Sequence, residues 1–141
     1  MTIERIIEHR RDIVTCSIHN TMREAAALLA ERRIGALPVM DGDAIAGIFS
    51  ERDVIYRLRE FGAEVLDRPV SEVMTAPAVT VSPDTAAMTA LAMMTKRRIR
   101  HLPVVMGGEM IGFVSIGDIV KYRLDKVEGE AAALRDYIQM A

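Results

Sequence analysis

The sequence predicts an α/β (α+β) fold made of two βαββα repeats related by a pseudo-twofold axis, with a short helix before them and a longer one after. Three observations predict it. Residues 14–55 recur without a gap as residues 79–120, at a constant offset of 65, and fifteen of the 42 aligned positions are identical. Each copy reads in the order strand, helix, strand, strand, helix. Each is also too small to enclose a good core alone, so it must bury its apolar face against its twin. A cleft between two such units then occurs twice.

The elements follow in order. The leader Thr2 to His9 places Ile3, Ile6 and Ile7 on one helical face. Ile13-Val14-Thr15-Cys16 is β-rich and short. Thr21-Met22-Arg23-Glu24 has the spacing of a capping box, and Ala25 to Arg33 is strongly helix-forming, with Met22, Ala25, Leu28 and Leu29 on its buried face. Leu37 to Met40 and Ala44 to Phe49 flank Asp41-Gly42-Asp43, a strong hairpin signal. Ser50 to Arg59 reads as a helix. Residues 60–78 connect the units, with Arg68 to Met74 as one short helix opened by Pro69. The pattern then returns: a strand at Val79–Val81, a helix at Thr85–Arg98 carrying Met88, Leu91, Met94 and Thr95, and a hairpin about Gly107-Gly108. A helix runs from Ile116, and Ala131, Leu134 and Ile138 keep helical spacing to the end. By chain, the division is residues 1–65 (leader and first repeat, core 14–55) and 66–141 (connector, second repeat with core 79–120, and last helix), the two forming one module.

Composition narrows the function. Half the residues are apolar, but only 4 % are aromatic and none is Trp, so the core is aliphatic with ten Met. The net charge of −2, from 18 basic and 20 acidic residues, argues against a nucleic-acid or anionic-membrane surface. The single cysteine, Cys16, cannot form an internal disulfide, and no zinc-type Cys/His spacing occurs. The first eleven residues lack the apolar stretch of a signal peptide, and no run approaches a membrane span. These features point to a cytoplasmic, reduced setting.

Two motifs can carry chemistry. Gly47-Ile48-Phe49-Ser50-Glu51-Arg52-Asp53 is echoed by Gly112-Phe113-Val114-Ser115-Ile116-Gly117-Asp118. Each runs a strand into Gly-x-x-Ser-x-x-Asp at a helix start, placing a hydroxyl and a carboxylate beside free N–H groups. The aspartate can accept hydrogen bonds from a vicinal diol such as ribose. Taken singly, N-capping accounts for the same residues. Their copy in both repeats favours binding, although internal symmetry would copy a cap as well. The second motif is Arg32-Arg33-Ile34-Gly35-Ala36-Leu37-Pro38-Val39, echoed by Arg97-Arg98-Ile99-Arg100-His101-Leu102-Pro103-Val104. Pro38 and Pro103 remove strand donors and belong at strand starts or edges, leaving backbone groups that can read an adenine edge. The plainer reading is a helix-to-strand turn with basic residues at the helix end. His9 and His19 read as surface residues, and Cys16 as a small apolar filler. The Met88/Met93/Met94 set reads as core. No nucleophile elbow, Walker loop, Gly-x-Gly-x-x-Gly or His-Glu-x-x-His is present, so an enzyme is not expected.

From residue 12 to about 124, the Gly-x-x-Ser-x-x-Asp pair, the Leu-Pro-Val pair, the Gly hairpins and the duplication together resemble a tandem pair of cystathionine-β-synthase (CBS) domains, a Bateman module of the short stand-alone bacterial type. The resemblance implies a regulatory module binding AMP, ADP or ATP, and in similar proteins NAD(H), with no catalytic cofactor or metal. It implies that Asp53 and Asp118 hold ribose hydroxyls and that Ser50 and Ser115 contact ribose or phosphate. Thr15 and Thr80, with the backbone at Gly35-Ala36-Leu37 and Arg100-His101-Leu102 and the adjoining Pro38 and Pro103, would line the base pocket. Arg52 and Arg100 would take phosphate, with Gly117 at the place of Arg52 in the second site. A homodimer of four units in a flat disc and a regulated partner protein are also implied. The repeats differ at Gly35/Arg100, Ala36/His101, Glu51/Ile116 and Arg52/Gly117, so the two clefts need not be equally occupied. The alternative is a ligand-free structural or interaction module, in which the Ser and Asp pairs are caps alone.

Overall fold

A computed structural model describes residues 1–8 and 12–140. The order is α1 (Ile3–Ile7), β1 (Cys16–Ser17), α2 (Met22–Arg32), β2 (Ala36–Asp41), β3 (Ala44–Ser50), α3 (Glu51–Phe61), two 3-10 turns (Ala63–Asp67 and Val70–Glu72), α4 (Ala87–Arg97), β4 (His101–Met106), β5 (Glu109–Ser115) and α5 (Ile116–Met140). In the first repeat β1 runs parallel to β2, which pairs antiparallel with β3. The second repeat keeps the β4–β5 hairpin. Its expected strand at Val79–Val81 shrinks to one parallel bridge, Val81 to Val104, at the position where Cys16 meets Val39 in the first repeat. Both hairpins shift register at the same step, between Val39 and Met40 and between Val104 and Val105. At the second hairpin tip Gly107 and Gly108 both have positive φ, which a two-residue turn of the favoured twist demands.

The two equivalent helices begin differently. Thr21 and Glu24 form the expected capping box on α2. The second repeat has Ala86 at the same place, with no side-chain cap, and α4 starts two residues later than expected. The Glu24 carboxyl is held below the usual carboxylate range, chiefly by the Thr21 backbone N–H. Its contribution is therefore present above that range and lost as pH falls through the lowered value. Thr21→Ala is expected to lower stability by about 1 kcal/mol, read by urea unfolding. The same experiment on Ala86→Thr should show no such loss.

Packing crosses the division by chain. Ile3 and Ile7 of α1 enter the core of the second repeat, beside Ala90, Met94, Leu102, Val104, Val114 and Ile119. Val65, Val70 and Val73 of the connector enter the first core, with Met22, Leu29, Leu37, Val39 and Phe49. Each repeat is thus closed by the segment that precedes the other. The connector forms two 3-10 turns rather than one short helix from Arg68 to Met74, and both are anchored by these valines. Gly47 and Gly112 mark where the crossing segments lie on β3 and β5. A Cβ at Gly47 would sit 2.7 Å from Met74 Sδ and 2.7 Å from the Thr75 carbonyl oxygen, and one at Gly112 would sit 2.8 Å from Ile7 Cδ1.

Of the predicted helix faces, Met22, Ala25 and Leu29 are buried and Leu28 packs partly against them. Met94 is buried and Met93 partly so, but Met88 is exposed, contrary to its reading as core. His19 is exposed, and His9 lies outside the described residues. Burial pushes the Cys16 thiol up to about 11. Cys16 is therefore expected to resist iodoacetamide at pH 8 in the folded protein and to react fully once unfolded, as followed by mass spectrometry.

Candidate functional site

The two strand-to-helix junctions build the same small machine twice. Ser50 caps α3: its hydroxyl accepts from the Asp53 N–H at 3.3 Å, and Asp53 Oδ2 accepts from the Ser50 N–H at 2.9 Å. Ser115 and Asp118 repeat both bonds at the start of α5, at 3.0 and 2.8 Å. The capping reading is therefore correct for both pairs. It does not compete with a site, because all four residues also line clefts.

The first cleft is a cavity of about 220 Å³. Ser50, Arg52 and Asp53 form one wall. Arg98, Ile99, Arg100 and His101 of the second repeat form the facing wall, and Pro77, Ala78 and Val79 close a side. Asp53 is held from two directions: Oδ2 also takes the Ser50 hydroxyl at 3.1 Å, and Oδ1 takes the Thr75 hydroxyl at 3.0 Å. Arg52 donates to the Arg98 carbonyl oxygen at 2.9 Å, tying α3 to the end of α4. Arg98 ends α4 with φ +56°, an uncommon conformation for a side chain with Cβ.

The second cleft, about 300 Å³, is its counterpart under the offset of 65. Ser115 and Asp118 face Arg33 and Ile34, and Asp12, Ile13 and Val14 stand where Pro77, Ala78 and Val79 stand in the first. Arg33 is also left-handed, with φ +52°. Gly35, Ala36 and His101 border both clefts. The walls differ in chemistry. His101 stacks on Phe113 at 5.3 Å between ring centroids, with planes 14° apart, whereas Ala36 and Ile48 hold the equivalent places in the first repeat. Among the described residues, arginines at three positions border the first cleft and one borders the second.

Leu37 and Leu102 send their side chains into the core, and Pro38 and Pro103 are buried within the strands beside them, so only backbone at these positions is left to face a cleft. Thr15 and Thr80 are exposed outside both clefts, Thr15 beside a separate depression with Cys16 and Asn20. Their expected place is taken by residues just before them, Ile13–Val14 and Ala78–Val79, because the chain enters the cleft before it reaches the strand. Gly117 is exposed and borders neither cleft. Sequence reasoning gives no cleft role to Thr75, Ile48 and Phe113, names Glu51 only as a difference between the two clefts, and reads Arg33 and Arg98 as helix-end charges. The constant offset was a usable signal for the paired residues. Thr75 had none, since its place depends on the connector crossing β3. No cluster of three or more His, Cys, Asp and Glu among the described residues is placed to hold a metal ion. No helix among them is long and apolar enough to cross a membrane.

Comparison with known proteins agrees with this architecture. The CBS-domain family profile matches residues 3–60 and 70–125. A mitochondrial CBS domain-containing protein of Arabidopsis thaliana is 35 % identical over 129 residues, covering 88 % of this chain and 63 % of its own length. A CBS domain-containing protein of Bacillus subtilis is 33 % identical over 107 residues, 76 % of each chain. The crystal structure of a CBS-domain containing protein from Agrobacterium tumefaciens superposes with a TM-score of 0.82 at 34 % identity, over 87 % of this chain and 99 % of that one. A CBS-domain protein crystallised in complex with AMP superposes with a TM-score of 0.76 at 24 % identity, over 88 % and 96 %, a likeness of fold alone. The chain spans just under two thirds of the Arabidopsis relative. With the family profile matched twice and both halves folded alike, this chain belongs to the CBS domain family as a tandem pair.

Proposed function

We propose that this chain is a regulatory module that binds an adenosine mononucleotide, AMP, ADP or ATP, in its inter-repeat clefts. The observation that carries the reading is the repeated box: a Ser-capped helix start with an in-turn Asp, facing a left-handed Arg and a strand start from the opposite repeat, on both sides of the pseudo-twofold. An ionised carboxylate offers about four acceptor positions. Asp53 uses three, for the Ser50 N–H, the Ser50 hydroxyl and the Thr75 hydroxyl. A ribose diol takes the remaining one and displaces one of the two hydroxyls, which rotate freely. The base then lies among Ala36, Val79 and Ile99, and the phosphates meet Arg52, Arg98 and Arg100. The AMP complex of the structural relative supports the ligand class.

Both volumes sit at or below the small end of ligand cavities, roughly 300–1,000 Å³, which favours a mononucleotide over NAD(H). Ligand acts by differential affinity for two arrangements of the module, its homodimer or a regulated partner. Thermal unfolding tests the reading. AMP at 100 times its Kd should stabilise the protein by about 2.7 kcal/mol. An NADH-only response would replace the mononucleotide by a dinucleotide. No shift with AMP, ADP, ATP or NADH would leave the interaction-module reading in its place.

A further inference from the structure

The two clefts share a wall. Gly35, Ala36 and His101 border both, and of these three only His101 carries a side chain that can turn. Its ring lies close over Gly35, where a Cβ would sit 3.5 Å from His101 Cε1. The ring also stacks on Phe113, which lines the second cleft. The backbone of the same residue holds the second carboxylate box in place. His101 pairs with Ser115 across the β4–β5 ladder, and the Arg100 carbonyl oxygen accepts from the Ile116 N–H, at the start of α5, at 2.9 Å. His101 thus stands in the wall of the first cleft, while its stacking partner and its strand belong to the second. Ala36 holds the same place in the first repeat, paired with Ser50, but its methyl group is too short to carry a displacement.

Space decides the sign of the effect. At about 220 Å³ the first cleft lies below the usual range for a ligand cavity, roughly 300–1,000 Å³, so a nucleotide entering it must push a wall back. The Asp53 side is pinned by the Ser50 N–H and the Thr75 hydroxyl. The His101 ring is the part that yields, and behind it lies the second cleft. We propose, resting on the nucleotide reading above, that His101 sets the two clefts in competition. AMP in the first cleft drives the ring toward Phe113, narrows the second cleft, and weakens AMP there about tenfold, within the usual size of coupling between sites. Linkage makes the effect mutual, so AMP in the second cleft weakens the first by the same factor.

Isothermal titration of the full chain with AMP, run as a cycle, tests it. Asp118→Ala gives the first cleft's own affinity, and Asp53→Ala gives the second's. In the unmodified chain the second binding event should be about tenfold weaker than the weaker of those two values. His101→Ala, which matches Ala36 of the first repeat, should close that gap: both events should then equal the single-cleft affinities measured with His101→Ala also present. Two events in the unmodified chain that equal the single-cleft affinities overturn the coupling and leave the nucleotide reading standing. So does a gap that survives His101→Ala. Loss of all binding in either aspartate variant leaves one site, and the coupling falls. No binding of AMP by the unmodified chain removes both readings together.

Discussion

Asp53→Ala is expected to remove AMP binding from the first cleft while the second keeps its own, and Asp118→Ala to do the reverse. The carboxylate is the group proposed to hold the ribose, and a hydrogen bond to a charged group contributes about 1.5–3 kcal/mol net. That corresponds to a loss of roughly 10- to 150-fold in affinity. Alanine also deletes half of a capping box, so stability falls by about 1 kcal/mol as well. Asp53→Asn separates the two effects. Its amide oxygen still accepts from the Ser50 N–H, so the helix start persists, but the charge that strengthens the ribose bond is gone. Isothermal titration with AMP reads both numbers. Each single variant should halve the number of tight sites if both clefts fill, and the double variant should keep no tight site, only binding weakened by that factor. Unchanged affinity and stoichiometry in the double variant would show that the carboxylates serve as caps only.

Gly47→Val should destabilise the protein by about 3 kcal/mol and weaken the first cleft with it. The new Cβ meets the Thr75 carbonyl oxygen, which is backbone and cannot swing away. That segment is pinned on β3: the Ile48 N–H donates to the Thr75 oxygen at 2.9 Å, and the Thr75 N–H donates to the Ile48 oxygen at 2.8 Å. Retreat would break both bonds and draw the Thr75 hydroxyl off Asp53. Gly112 stands at the same place in the second repeat, but there the neighbour is the Ile7 side chain. Gly112→Val should therefore cost less and leave the first cleft's affinity unchanged. Urea unfolding and AMP titration of the pair check the ordering. Equal costs at the two glycines would mean that the backbone contact at Thr75 yields as easily as a side chain.

What could be read from residues alone was local. The hairpin glycines, the Thr21–Glu24 box and the Ser–Asp steps are each decided by hydrogen bonds spanning three or four residues, so their spacing is visible in the chain. The duplication then carried one local solution to its twin, and with it the existence of two like clefts. It carried less where the copies had drifted. Ala86 stands in place of Thr21, and the strand expected at Val79–Val81 is a single bridge. Within β2 the run Ala36 to Val39 is buried on both faces, so alternation could not tell the cleft-lining Ala36 from the core residue Leu37.

The tertiary structure alone decided which segments close which half. That α1 covers the second repeat and the connector covers the first follows from the apolar area each must bury, and segments distant in sequence compete for that area with no periodic signal. Thr75 reaches Asp53, and Arg52 reaches the end of α4, only as a result of that crossing. Sequence by itself determined the two units and their chemical groups, because those depend on short-range backbone geometry. The fold determined which of those groups look into a shared space, because that depends on how two apolar faces meet.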